Sequence, residues 1–205
     1  MRRKQLVRKI VVYAIYILLI TTFQVTFPGV ISLSGLHPDL MFVMVVLCAY
    51  MFGFYDGIIV GVLVGFIRDY FSAPSIRSLD GTVVSSVGIG LFVMIAVAAL
   101  GSSFFTRRIE RNFLLAFLSV VFITLLYKLA GHFVIYIWTS VLSDVSYNMD
   151  LKQALLKSIL PQTALNLFAS VPLYLMLKFM GPYKGGVNPV LIDEKGKVDN
   201  SWLTM

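Results

Sequence analysis

Apolar residues gather in six stretches, separated by short clusters of proline, glycine, serine and charge. The stretches run from Ile10 to Phe27, Leu40 to Phe54, Gly57 to Phe71, Thr82 to Leu100, Phe113 to Trp138 and Leu155 to Met180. A helix needs roughly 20 apolar residues to cross the hydrocarbon core of a bilayer, and most of these runs approach that length. Pro28-Gly29 ends the first, and Gln24 near its far end is predicted to be an interfacial side chain. Asp39 precedes the second and is placed to cap its first turn. Only Tyr55-Asp56 separates the second stretch from the third, too little for a loop between independent spans. That pair is predicted to form a tight helical hairpin whose short arms, if both cross, thin the bilayer or snorkel at their ends. Residues 72–81 have loop chemistry.

The third stretch carries a second pattern. Glycine recurs at 53, 57, 61 and 65, and the next step of four lands on Asp69. Residues four apart share one helix face, so Gly57, Gly61 and Gly65 form a groove of bare backbone ending in a carboxylate. In lipid such small residues let another helix approach closely. The face is predicted to pack against a helix of this chain or of a partner protein, with Arg68 and Asp69 at its rim.

Composition agrees with this reading. Of 205 residues, 59% are hydrophobic and 13% charged, about half the charged share of a soluble domain. The predicted fold class is an all-α integral membrane protein, a six-helix transmembrane bundle. Residues 1–9 form a basic cytosolic head, 10–180 the transmembrane domain and 181–205 a polar cytosolic tail. The single cysteine, Cys48, lies in an apolar run, where a small buried hydrophobe is expected.

A net charge of +7 would suit a nucleic-acid binder, but the basic residues flank apolar segments and form no stripe. They sort by side instead. Six spans with an inner N-terminus put 12 of the 17 Lys and Arg residues inside, among them Arg107, Arg108 and Arg111. Four fall outside, and Lys128 lies within a span. Positive charge on the inner side fixes the orientation with both termini cytosolic.

No local motif carries catalysis: there is no phosphate-binding loop, no HExxH and no nucleophile elbow. Neither His37 nor His132 has a cysteine or carboxylate at metal-ligand spacing, so no metal or cofactor is expected. Lys128 stands near the middle of the longest apolar run, where a lysine costs about 3 kcal/mol on insertion scales. Thr124 and His132 lie one turn to either side on its face, and Asp69 and Asn166 are candidate partners from other helices. Lys128 is read either as part of an internal polar cavity or as a lysine snorkelling from a long tilted helix.

In sequence order these landmarks resemble the bacterial rod-shape-determining MreD family over roughly residues 5–180. They are Gln24 to Pro28, Pro38-Asp39-Leu40, then Gly61 and Gly65 closing on Asp69. Leu125-Leu126-Tyr127 and Pro161 to Asn166 with Pro172 follow. The chain departs from the pattern at Lys128, where many relatives carry an acid, and in its longer tail. The resemblance implies a fold similar to the substrate-binding S-components of energy-coupling-factor transporters. It implies a non-enzymatic scaffold of the cell-elongation complex in the inner membrane. The partners implied are an MreC-like scaffold protein, a RodA-type glycosyltransferase with its class B transpeptidase and, indirectly, MreB. The rival expectation is a vitamin-binding S-component, which would use a cavity near the outer face. An intramembrane enzyme is the weakest reading.

Overall fold

The computed structural model describes residues 3–26, 35–72, 75–77, 83–85, 88–103, 113–137 and 151–183. The arginine-rich segment at 104–112, the polar segment at 138–150 and the tail from 184 onward lie outside the described residues.

The first apolar run forms α1 (Arg3–Val25). Tyr13, Tyr16, Ile17 and Ile20 are its buried face, while Ile10, Val11, Ile15 and Leu18 point outward. This is the i, i+3, i+4, i+7 spacing of a helix with one protein-facing side. Its outer face is as apolar as its inner one, which suits lipid and not water.

The core of the fold is α2 (Leu40–Phe52), where every residue from Met41 to Phe52 is buried. A helix apolar on all sides must be enclosed on all sides. Its start is capped as its sequence predicts, Asp39 Oδ1 accepting from the Phe42 amide at 3.0 Å. Its end is a single residue, Gly53, with φ of 93°, a left-handed conformation that glycine adopts without steric cost. From there α3 (Phe54–Ser72) begins at once. The predicted hairpin thus has no loop at all.

The structure departs from expectation after α3. The segment read as a loop contains β1 (Ser75–Arg77), which pairs antiparallel with β2 (Val83–Ser85) at the head of the next apolar run, Ile76 opposite Val84. Among the described residues this ribbon is the one pair of strands, and the regular structure is otherwise helical. The next helix was expected from Thr82, but α4 spans Ile89–Ser103. Paired β-branched Val83 and Val84 suit a strand, and Gly88, at φ of 110°, breaks the chain just before the helix.

The glycine stripe is occupied within the chain. A Cβ at Gly57 would lie 2.6 Å from Ala49 Cβ, one at Gly61 2.9 Å from the Met94 carbonyl oxygen, and one at Gly65 2.6 Å from Leu91 Cα. Gly101 of α4 closes on Ala49 from another side, a Cβ there falling 3.2 Å from Ala49 Cβ. Ala49 of α2 is therefore held between glycines of α3 and α4. Of the two predicted uses of the stripe, internal packing is the one observed. The expectation that this face receives a partner protein is corrected, because no room remains against it.

Next come α5 (Phe113–Ile137) and the short α6 (Leu151–Ala154). A single π-helical turn (Leu155–Ile159) then leads into α7 (Leu160–Met180). Buried Ala116, Ser119, Val120, Ile123 and Thr124 trace the inner face of α5. The π turn immediately precedes Pro161, which has no N–H to give a regular helix. Pro172 lies inside α7.

Among the described residues three helical stretches are long and apolar enough to cross a membrane: Gln5–Val25, Phe113–Val134 and Lys152–Met180. At 1.5 Å per residue α2 and α4 reach only about 20 and 22 Å, short of a ~30 Å hydrocarbon core. The outer faces of the long helices expose Leu18, Leu114 and Phe168, each at least two-thirds accessible. This is a membrane protein, with its most apolar helix at the centre.

Candidate functional site

At the end of the bundle where α2 begins, polar side chains from four other elements meet its first turn. Gln24, on the last turn of α1, accepts from the Leu40 amide through Oε1 at 2.8 Å. Asn166 of α7 accepts from the Asp39 amide through Oδ1 at 2.8 Å. The Asn166 side-chain amide donates to Thr124 Oγ1 of α5 at 3.3 Å. Gln162, one turn before Asn166, donates through Nε2 to the His37 carbonyl at 2.9 Å and to Asn166 Oδ1 at 3.1 Å. A helix start leaves amides without intrahelical partners, and here two other helices, α1 and α7, supply acceptors for α2 beside its own cap Asp39. Gln24, predicted as an interfacial side chain, is thus a tertiary cap on α2.

Arg68, near the end of α3, donates from Nη1 to Asp39 Oδ2 at 2.8 Å. Asp39 therefore carries two duties, one oxygen on the α2 amide and the other on the guanidinium. Gln24, His37, Asp39, Met41, Arg68, Tyr127, Lys128 and Gln162 surround a partly open pocket of about 210 Å³. Tyr127 is held by its ring against Phe42, with centroids 5.3 Å apart. Lys128 is half-buried in this wall, with no hydrogen bond and no ion pair among the described residues.

Asp69 lies apart from Lys128 in its bonding. Its Oδ2 accepts from the Gly88 amide at 2.8 Å and the Leu91 amide at 3.1 Å, and its Oδ1 accepts from the Gly90 amide at 2.8 Å. It is the N-terminal cap of α4 supplied from α3, with a negative charge where the helix dipole favours it. Of the three predicted internal polar groups, Asn166 joins the network at the head of α2, Lys128 lines the pocket and Asp69 caps α4. The suggested pairing of Lys128 with Asp69 or Asn166 does not form, because both candidates are saturated by backbone amides and other side chains. Thr124 faces Asn166, as noted, while His132 Nδ1 is enclosed with no hydrogen-bond partner among the described residues.

A second polar centre sits at the opposite end, and sequence reasoning missed it. Asp56, placed between two apolar stretches and read as connection, lies in the first turn of α3 and is 2% exposed. It forms an ion pair with Lys9 of α1. Its Oδ2 accepts from Tyr13 at 2.9 Å and from Tyr183, beyond α7, at 2.6 Å. Burial and the bond to Asp56 both push the Tyr183 phenol above its ordinary value. Arg8 donates to the Gly181 carbonyl at 3.2 Å, closing the same junction. The available signal was that a carboxylate between two apolar runs, with no loop to carry it to water, must find a cation.

The chain was compared with protein-family models, curated proteins and solved structures, and none of them matches. Among the described residues no group of three or more His, Cys, Asp or Glu side chains converges as a metal site would require.

Proposed function

We propose that this chain is a non-enzymatic scaffold subunit of a bacterial cell-elongation complex of the MreD type, supporting peptidoglycan synthesis and cell shape. One observation carries the reading. The polar landmarks of the resemblance, Gln24, Asp39, Asp69 and Asn166, all serve as joints between helices. A chain that invests its polar residues in fixing its own helices, and covers them with apolar faces, has the makings of a rigid docking body.

In this reading the bundle crosses the inner membrane six times. The Lys9–Asp56–Tyr183 junction brings together the start of α1, the start of α3 and the end of α7. The pocket gathers the end of α1, the start of α2, the end of α3 and the start of α7. That alternation supports six antiparallel passes, with α2 shielded from lipid by its neighbours and α4 turning Ile89 and Phe92 outward. The charge asymmetry of the sequence then puts Lys9 and both termini in the cytosol and the pocket at the outer face. The partners are an MreC-like scaffold, a RodA-type glycosyltransferase with its class B transpeptidase and, through them, MreB.

The pocket itself favours a second reading, a substrate-binding S-component of a vitamin transporter. One experiment separates the two: capture of the tagged protein from its own membranes in mild detergent, with the retained proteins identified. Recovery of an MreC-like protein with RodA and a transpeptidase supports the scaffold. Recovery of an ATP-binding energising module replaces it with the transporter subunit.

A further inference from the structure

The pocket at the head of α2 contains an electrostatic imbalance. Its wall holds two cations, Arg68 and Lys128, against one carboxylate, Asp39. Asp39 is already engaged by the Arg68 guanidinium and by the Phe42 amide. Asp69, the neighbouring acid on α3, is taken up by three amides of α4. Among the described residues Lys128 thus shares Asp39 with Arg68 and has no counter-charge of its own, although it stands half-buried on a helix long and apolar enough to span the bilayer. A cation left so is costly, and an anion from outside the chain would neutralise it.

We propose that this pocket binds a single phosphate group, with the Lys128 ammonium as its main anchor. Arg68 and Tyr127 line the same pocket. Size points to a group and not a whole small molecule. About 210 Å³ falls below the roughly 300–1,000 Å³ of pockets that enclose drug-sized ligands. The opening leaves the rest of the ligand outside. Lysine and arginine together suit phosphate, the one as a mobile point charge and the other as a planar fork. A phospholipid headgroup and free phosphate present the same chemistry. The inference is independent of which partners the bundle docks.

The test uses the full chain purified in a neutral detergent, alongside Lys128→Met and Lys128→Arg. Native mass spectrometry reads retention of phosphatidylglycerol against phosphatidylcholine, and thermal melting reads inorganic phosphate at constant ionic strength. One phosphatidylglycerol per chain is expected. Its apparent affinity should fall about tenfold or more in Lys128→Met, as for loss of a charge-assisted hydrogen bond, and persist in Lys128→Arg. The same dependence on Lys128 for inorganic phosphate, without preference for phosphatidylglycerol, assigns the site to a soluble anion. Equal behaviour of wild type and Lys128→Met with both probes overturns the proposal. Should Lys128→Met not fold, Lys128→Gln keeps a polar head at the position and carries the same comparison.

Discussion

The carboxylate of Asp69 occupies the space in which a side chain at Gly90 would begin. A Cβ built on residue 90 collides with Asp69 Oδ1, the same atom that accepts from the Gly90 amide. The cap and the glycine are therefore one device: the acid reaches the α4 amides only because residue 90 has no side chain.

Removing the cap in Asp69→Ala should cost about 1–3 kcal/mol, since three partly buried amides lose a charged acceptor. Gly90→Ala should cost a similar amount by displacing the carboxylate. In the Asp69→Ala background, however, Gly90→Ala should be neutral or stabilising by up to about 1 kcal/mol, the helix preference of alanine over glycine. Chemical or thermal melting of the four proteins in detergent reads this directly. Additive losses would show that the two residues do not act through each other.

Two glycines of opposite setting test the packing of α3 on α4. Gly65→Ala forces a methyl against the Leu91 backbone and should destabilise by about 1–3 kcal/mol. Gly131, in α5, has nothing within 4 Å of a Cβ. Gly131→Ala should be neutral or stabilising by up to about 1 kcal/mol. The same melting assay gives the comparison, and equal effects would remove the close-approach argument.

At the other end, Asp56→Ala should be among the most damaging single changes, on the order of 3–5 kcal/mol, because it strands a partner cation and two tyrosine hydroxyls. Asp56→Asn should be milder, keeping an acceptor for the tyrosines. Adding Lys9→Met to Asp56→Ala should cost less than Lys9→Met alone costs the wild type. Yields of folded protein and melting temperatures check all three.

Alkaline pH offers a readout of Tyr183. In the unfolded chain its phenol loses its proton near pH 10, about the ordinary tyrosine value. In the folded chain the pKa is raised, so its contribution is complete below pH 10. Above that, stability should fall by about 1.4 kcal/mol per pH unit for this group, until the folded form also ionises. Tyr183→Phe should show a shallower alkaline decline in melting temperature; an unchanged slope would count against this account.

Much of this was visible in the residues. The six apolar runs, the cap at Asp39 and the near-loopless turn before α3 all follow from local chemistry that one segment states by itself. The glycine spacing likewise announces close packing, but periodicity cannot say which helix fills the groove. Gln24, Asp56 and Asp69 show the same limit. Each side chain satisfies a group 16 or more positions away, and a sequence displays a need for a partner without displaying the partner. Lys128 was legible as an anomaly. Its setting, beside an acid already taken by Arg68, was not.

The enclosure of α2 bears on how the protein is made. Its first free amide, on Asp39, is satisfied by Asn166, which is synthesised 127 positions later. Until α7 emerges, a ribosome-bound chain carries its most apolar helix half-dressed, with that acceptor still to come. Assembly must therefore be completed from the C-terminal side, and a chain interrupted before α7 would present to the membrane quality-control machinery the one helix that the finished protein hides.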